Sequence, residues 1–338
     1  MIFYKRLVAV TLILASSFCA CGGTSEADPA PEPSGTETPA PGPTDTPTDP
    51  DTPTDPVDPP APSDTTGPSD PVDPVDPPAP VSTRDTMVLR IMDYNVGRLH
   101  KELDPTVCAP MIGSMIDEMK VDAVTLQELD SCKVDDTGHG GRYQLRFLVN
   151  NTPGNWNYFF GSNLTYANGG TYGIGVMLDK KYPVVNQFHY RMPKYDGAEV
   201  RGFCVMESEH FVIISTHLDH KSVDARQQQM LVLNEQVKAR YQDSGKLVFL
   251  AGDFNGNQSG SVVINANKAW TRVSSNDYTS TAKNPRNTID HMFILNNGAQ
   301  YKVRQAKALR SFANGGDVKQ ASDHLPIFIE FEFYYDKQ

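Results

Sequence analysis

Nineteen of the 26 prolines fall between residues 24 and 83, in units such as Thr-Pro-Thr-Asp-Pro and Pro-Val-Asp-Pro, and no aromatic residue interrupts them. Proline fixes φ and removes a backbone donor, so neither a helix nor a sheet can run through such a stretch. Without large apolar side chains the stretch cannot bury a core either. Residues 24–83 are therefore expected to form an extended, disordered linker, and the folding information lies in 84–338. Charge divides at the same place. Residues 1–83 carry 2 basic and 13 acidic side chains, giving −11, the whole net charge of the chain, whereas 84–338 holds 28 of each sign. An acidic chain thus contains a neutral domain, without the basic excess of a tight duplex-DNA binder.

Ahead of the linker, Lys5 and Arg6 precede an apolar run, Leu7–Leu14, that is too short to span a bilayer. Small residues follow, then Phe18-Cys19-Ala20-Cys21. A cysteine after a small residue at the end of such a segment resembles the processing site of bacterial lipoproteins. Cys21, preceded by Ala20, fits it better than Cys19, preceded by Phe18. Residues 1–23 are expected to be a lipoprotein signal peptide with its lipidation site, which implies an exported, membrane-anchored protein of the periplasm or cell surface. A plain cleaved signal peptide is the alternative. Cys108, Cys132 and Cys204 remain beyond it with no CxxC pair, which argues against a thiolate metal site. Export permits a disulfide, and Cys108–Cys132, flanking a helix–strand unit, is the expected pair.

The 255 residues from 84 to 338 suffice for one large α/β domain. Strand patterns recur between turn signals: Val88–Tyr94, Ala123–Gln127, Asn157–Gly161, Ile174–Leu178, Phe203–Met206, Phe211–Thr216, Leu247–Ala251, Thr288–Ile294 and Ile327–Phe333. Helical spacing is clear over Thr106–Lys120 and Ser222–Tyr241. Strands outnumber helices and several are joined by hairpin-length loops. That pattern predicts two packed mixed sheets with outer helices rather than a doubly wound parallel sheet.

Several of these strands end in chemistry. The run Leu247-Val-Phe-Leu-Ala-Gly252 stops at Asp253-Phe254-Asn255, presenting a carboxylate and an amide two residues apart and so on one side of the chain. Gly-Asp followed by Asn also makes an ordinary turn, so companions decide its meaning. They are Asn95 after the first strand, Gln127-Glu128 after the second, and Thr216-His217-Leu218-Asp219 after a third. Asp290 stands where another strand begins, and Asp323-His324 precedes the last. No Ser or Cys sits in a nucleophile elbow. Oxygen donors with few cysteines suit Mg²⁺, or Mn²⁺, rather than Zn²⁺. Histidines and amides suit the stabilisation of charge on phosphoryl oxygens.

In kind and order, Asn95, Gln127-Glu128, Thr216-His217-Leu218, Gly252-Asp253-Phe254-Asn255, Ile289-Asp290 and Ser322-Asp323-His324 resemble the motifs of the endonuclease/exonuclease/phosphatase superfamily of deoxyribonuclease I-like phosphoesterases. The resemblance implies a four-layer α/β sandwich and Mg²⁺-dependent hydrolysis of a phosphoester, phosphodiester favoured, by in-line attack of water. It implies Glu128 as the main metal ligand, with Asn95 and Asp323 near the metal or phosphate. Asp253 would orient or deprotonate the water, and Asn255 and His217 would bond the non-bridging oxygens. His324 would sit against the phosphate, held by Asp290; whether it or Asp253 takes the water proton stays open. Tyr172 and Arg201 are candidate substrate contacts, a packed hairpin tyrosine and an ion pair of Arg201 with Glu199 being the plain alternatives. Asp93 reads as a strand-end hydrogen bonder, His291 as structural, and Asp219 and His220 as the turn before a helix.

Departures narrow the family. Gly256-Asn257-Gln258 replaces the Tyr-Arg continuation of inositol polyphosphate 5-phosphatases, and Gln127-Glu128-Leu129 the Gln-Glu-Thr of apurinic endonucleases. The deoxyribonuclease I branch supports its first histidine with a Glu on a preceding strand, and no counterpart occurs near Tyr172–Met177. Nuclease, sphingomyelinase-like or phospholipid phosphodiesterase, and small-phosphoester activities remain, as does an idle surface-binding module of the same fold. Nucleic acid, phospholipid or a small phosphoester is the expected partner, together with the anchoring membrane; no protein partner is implied.

Overall fold

The computed structural model describes residues 84–99, 104–131, 143–167, 169–314 and 316–336. The signal segment with Cys21, the linker and Cys132 of the expected disulfide lie outside the described residues. Among the described residues no helix is long and apolar enough to cross a membrane.

Among the described residues twelve strands form two six-stranded sheets. The first takes β1 (Arg84–Asn95), β2 (Ala123–Ser131), β3 (Trp156–Thr165), β4 (Thr171–Asp179), β11 (Tyr301–Ala308) and β12 (Ile327–Asp336), in the order β11-β12-β1-β2-β4-β3. The second takes β5 (Val184–Arg191), β6 (Gly202–Ser208), β7 (Phe211–His217), β8 (Leu247–Asp253), β9 (Trp270–Arg272) and β10 (Asp290–Leu295), in the order β5-β6-β7-β8-β10-β9. Each sheet has one parallel pair, β1 with β2 and β7 with β8. Parallel neighbours need a long crossover, supplied by α1 (Pro105–Glu118) and α3 (Val223–Tyr241). Both helices start at side-chain caps. Asp104 accepts from the Thr106 amide at 2.7 Å with Pro105 at the first position, and Ser222 accepts from the Ala225 amide at 3.1 Å.

The central strands are buried on both faces, which is why they read as continuous apolar runs. Along β8, Phe249 and Ala251 point into the space between the sheets, while Val248 and Leu250 pack outward with Leu233 and Val237 of α3. β10 divides Met292 and Ile294 from Phe293 and Leu295 in the same way. Across the interior Phe249 stacks on Phe331 of β12, ring centres 5.6 Å apart. α1, α2 (Gln144–Asn150) and α5 (Val318–Ala321) lie on the first sheet, and α3 and α4 (Ser261–Ala266) on the second. The result is the expected four-layer sandwich.

All nine strands foreseen are present, with shifted ends. The three unforeseen, β5, β9 and β11, are all sheet edges. An edge strand keeps one side in water and carries polar residues that blunt it, so Val-Val-Asn-Gln-Phe-His-Tyr-Arg and Tyr-Lys-Val-Arg-Gln-Ala-Lys-Ala show no apolar run. α2, α4 and α5 are seven, six and four residues long, too short for helical periodicity to register.

The inward-facing row of each central strand changes character along its length. β7 runs Ile213, Ser215, His217; β8 runs Phe249, Ala251, Asp253; β1 runs Ile91, Asp93, Asn95. One end of the interior is therefore apolar and the other polar. Where the two meet, the Ser215 hydroxyl of the second sheet donates to the Leu126 carbonyl of the first at 3.1 Å and accepts from Gln127 Nε2 at 3.3 Å. Ser215→Ala leaves both groups short of a partner in a dry space. It should lower unfolding free energy by about 1–3 kcal/mol, read as a lower urea midpoint; an unchanged midpoint would show that the sheets do not depend on this tie.

Candidate active site

The polar end of the interior opens into a cavity of about 480 Å³. β2 enters it irregularly. Its pairing with β4 slips register between Leu126 and Leu129, and Glu128 inside the slip has φ 56°. The bulge takes Glu128 out of strand alternation and sets its carboxylate on the cavity wall. Asn95, at the end of β1, donates from Nδ2 to Glu128 Oε1 at 3.2 Å and to Asp253 Oδ2 at 3.1 Å, while its Oδ1 accepts from the Gly97 amide. Asn95 therefore joins a carboxylate of one sheet to a carboxylate of the other. Beneath them Asp93, nearly fully buried, accepts from Thr125 Oγ1 at 2.6 Å and Gln127 Nε2 at 2.8 Å. Burial first, then the charge of Asp290, hold its carboxyl well above the usual range.

From the second sheet, Asp253 ends β8 and pairs with Asp290 at the start of β10. Gly252, at φ 156°, allows the approach of the two strands behind the acid: a Cβ there would stand 2.0 Å from the Thr216 carbonyl oxygen. Asp253 Oδ1 accepts from the Asn255 amide at 2.8 Å, closing a tight turn in which Asn255 has φ 46°. Asp253 Oδ2 lies 3.6 Å from His217 Nε2 and 3.8 Å from His324 Nε2. His324 Nδ1 contacts both Asp290 oxygens, at 2.9 and 3.1 Å.

The surroundings push the two imidazoles in opposite directions. Burial alone would drive His324 down, but Asp290 at Nδ1, joined by Asp253 and Asp323, overrides it and pushes its pKa up to about 10. His217 is driven well below the ordinary histidine value by burial, then by the charges of Arg201, His324 and His220. Its approach to Asp253 is thus not an ion pair. Asp253 is pushed up to about 7, by burial first and then by Asp290, against the opposing pull of His324. Ligand atoms of Asp253, Asp290 and His324 lie within 4.8 Å of one another. That spacing could hold a metal, yet an imidazole that keeps its proton offers no lone pair. Glu128 is the better anionic ligand.

Of the residues singled out in the sequence, Glu128, Tyr172, Arg201, His217, Asp253, Asn255 and His324 line the cavity. Asn95 and Asp290 bond to residues on its wall. Asp323 does not line it; its charge acts on His324 and Tyr94. His291 is structural as expected, with Nε2 against the Gly256 carbonyl at 2.8 Å. Asp219 organises its turn by accepting from the amides of Lys221 and Ser222, both at 2.9 Å, and it also receives the Ala198 amide at 2.7 Å.

Three features went unseen in the sequence. His220, read as part of that turn, lines the cavity. Arg98 reaches Asp130 at 2.7 Å while Tyr166 donates to the same carboxylate at 2.8 Å, and Arg98 and Tyr166 form another stretch of wall. Support for His217 comes from Arg201, not from an acid on an earlier strand: Nη1 lies 3.1 Å from His217 Nδ1. Gly202, which begins β6, is the register partner of His217. A hairpin register between β6 and β7 would have been the signal.

A sandwich whose two sheets bring acids, amides and two unlike histidines to one cleft is the architecture of a phosphoesterase fold. The model of the Endonuclease/Exonuclease/phosphatase family matches residues 94–324, and the chain belongs to that family. No curated protein matches the sequence. Among solved structures, a mannosyl-6-phosphatase of Bacteroides thetaiotaomicron is 16% identical, covering 72% of this chain and 99% of its own at a TM-score of 0.58. A family protein of Beutenbergia cavernae is 20% identical over 73% of this chain and 72% of its own, TM-score 0.58. The catalytic domain of human nocturnin, with bound sulfate, is 19% identical over 74% and 98%, TM-score 0.53. At these identities the likeness is one of fold.

The raised His324 value ties charge to stability. Its pKa in the fold lies above that of an unfolded histidine, so the His324–Asp290 pair stabilises fully below about pH 6.5, and the gain is lost as pH rises through about 10. In Asp290→Asn, NMR titration should find His324 at or below the ordinary histidine value, and this part of the pH dependence of unfolding should vanish. A His324 that still titrates near pH 10 would refute the pairing as its cause.

Proposed function

We propose that the chain hydrolyses a phosphoester by direct attack of water, with a hard divalent cation, Mg²⁺ or Mn²⁺, as cofactor. The observation that carries this reading is the convergence of an acid poised near neutrality, a charged imidazole and a neutral imidazole on one cavity. Titratable groups pushed apart by their surroundings mark acid–base work. Glu128 on its bulge would hold the cation with Asn95 beside it; the donor set is oxygen-rich and thiol-free, as such a cation requires. When bound, the cation would polarise a phosphoryl oxygen and make water more acidic. Asp253 orients the water and accepts its proton. His324, kept charged by Asp290, and the amide of Asn255 face the charge that grows on the non-bridging oxygens. A domain without catalysis has no need to retain all of these together.

A phosphodiester is favoured because it carries one negative charge. Arg201 is paired with Glu199 at 3.2 Å, Arg98 with Asp130 and His324 with Asp290, so all three of these cations already face a carboxylate. A dianionic monoester would ask for more. A sugar phosphate is the second reading, supported by the carboxylate of Glu199 and the ring of Tyr166 on the wall and by the mannosyl-6-phosphatase of the same fold. Export and anchoring through Cys21 belong to the same proposal, and they keep phospholipid and sphingolipid diesters among the candidates.

Purified protein given bis-p-nitrophenyl phosphate should turn over with Mg²⁺ and stop with EDTA. Asp253→Ala should lose roughly 10²- to 10⁴-fold in kcat. No turnover, or an unaffected Asp253→Ala, would sink the reading. The rate should rise as Asp253 loses its proton near pH 7 and fall as His324 loses its own near pH 10. A parallel panel of plasmid DNA, RNA, sphingomyelin and sugar phosphates decides the substrate. Any binding to DNA by this neutral domain should disappear at modest salt.

A further inference from the structure

Behind His217 stands a group that can only donate. Arg201 is almost fully buried, with Nη1 3.1 Å from His217 Nδ1. Its other arm, Nη2, lies 3.2 Å from His220 Nδ1 and 3.2 Å from Glu199, and the guanidinium also bonds Tyr172. These contacts fix the fork in one position. A guanidinium has five N–H donors and no acceptor. The nitrogen facing it must therefore offer a lone pair, and the ring proton must sit on Nε2.

We propose that Arg201 is the positioning residue of His217, locking it as the neutral Nε2–H tautomer, so that His217 acts only as a hydrogen-bond donor to the phosphoryl group. The proposal rests on the hydrolytic reading for its purpose, but the tautomer itself does not depend on it. On the far side of the ring, Nε2 points toward Asp253 Oδ2 and lies 3.1 Å from Asn255 Nδ2, which itself donates to the Leu218 carbonyl at 3.1 Å. The Asn255 nitrogen cannot accept and has the Leu218 carbonyl as its own acceptor, so the group that can receive an Nε2–H is the Asp253 carboxylate, at 3.6 Å. A second proton on Nδ1 would point at Arg201. The charged groups acting on the ring are thus Arg201, His324 and Asp253, with His220 beside them.

The molecule contains a second instance of the same arrangement, in which the tautomer is unambiguous. Arg272 Nε donates to His291 Nδ1 at 3.1 Å, and His291 Nε2 faces the Gly256 carbonyl, which can only accept, at 2.8 Å. Both rings meet an arginine at Nδ1, which requires a lone pair there; at Nε2, His291 meets a carbonyl at 2.8 Å and His217 the Asp253 carboxylate at 3.6 Å.

Long-range ¹H–¹⁵N NMR of the protein reads the tautomer directly, with His217 assigned by its loss in His217→Gln. Nδ1 should be pyridine-like and Nε2 pyrrole-like from about pH 5 to pH 9, with His291 as internal reference. A wild-type His217 carrying its proton on Nδ1, or gaining a second one in that range, would overturn the proposal whether or not any phosphoester is hydrolysed. In Arg201→Met the ring should titrate within the range, and kcat should fall roughly 10- to 100-fold, the usual size for losing an orienting partner, with KM little changed. Arg201→Lys, also donor-only, should restore the wild-type spectrum. A raised KM with unmoved His217 signals in Arg201→Met would instead make Arg201 a substrate contact. If Arg201→Met fails to fold, the wild-type spectrum still decides.

Discussion

Parallel pairing between neighbours in each sheet is the constraint on which the cleft depends. Strands β1 and β2 run the same way, as do β7 and β8, so each pair delivers two carboxyl ends at one rim. Antiparallel neighbours then begin where those strands stop, bringing in Asp290 opposite Asp253 and Gly202 opposite His217. A rim where some strands end and others start collects residues from the whole length of the chain. That is how positions 95 and 324 come to act on one carboxylate. Helices α1 and α3 are needed for topology rather than chemistry, because without a crossover neither pair could be parallel.

Placing the rim at the polar end of a shared interior sets the electrostatics. Water is scarce there, so each acid is judged by its partners, not by its intrinsic acidity. The charge of Asp290 keeps His324 protonated and, acting also on Asp253, makes that acid harder to ionise, against the opposing pull of His324. Asp93, deeper still, adds to the same crowding while Thr125 and Gln127 hold it in place. The tie from Gln127 through Ser215 to Leu126 then connects this buried carboxyl to both sheets. Stability and site chemistry draw on the same hydrogen bonds, so the polar end cannot be altered without effect on the sandwich.

Much of this was legible in the sequence because the contrast is local. An apolar run that stops at Asp253 and Asn255, or at His217, is unusual within a few residues, and four such endings with two polar strand starts, in order, carry the family resemblance. What escaped was non-local or water-facing. The edge strands β5 and β11 carry mostly polar, exposed residues and β9 is only three residues long, so none shows an apolar run. Glu128 was found by type, but its direction depends on a positive φ and a register slip that no spacing rule reveals. Arg98 and Asp130 are separated by 32 residues and meet only because β1 and β2 are neighbours. Arg201 reads in the sequence as a substrate contact or as half of an ion pair with Glu199; only hairpin register shows that it also stands behind His217.

That last placement bears on how two imidazoles can share one acid. Asp253 Oδ2 is nearly equidistant from His217 and His324. Had a carboxylate backed His217, both rings would be drawn toward the charged form. Two cations would then compete for a single oxygen, with the acid held ionised and weakened as a base. An arginine behind one ring and an aspartate behind the other break the symmetry. One imidazole contributes charge, the other only a directed N–H, and Asp253 keeps an affinity for protons close to neutrality. Division of labour between two identical side chains is thus set by what stands behind them, one contact beyond the cavity wall.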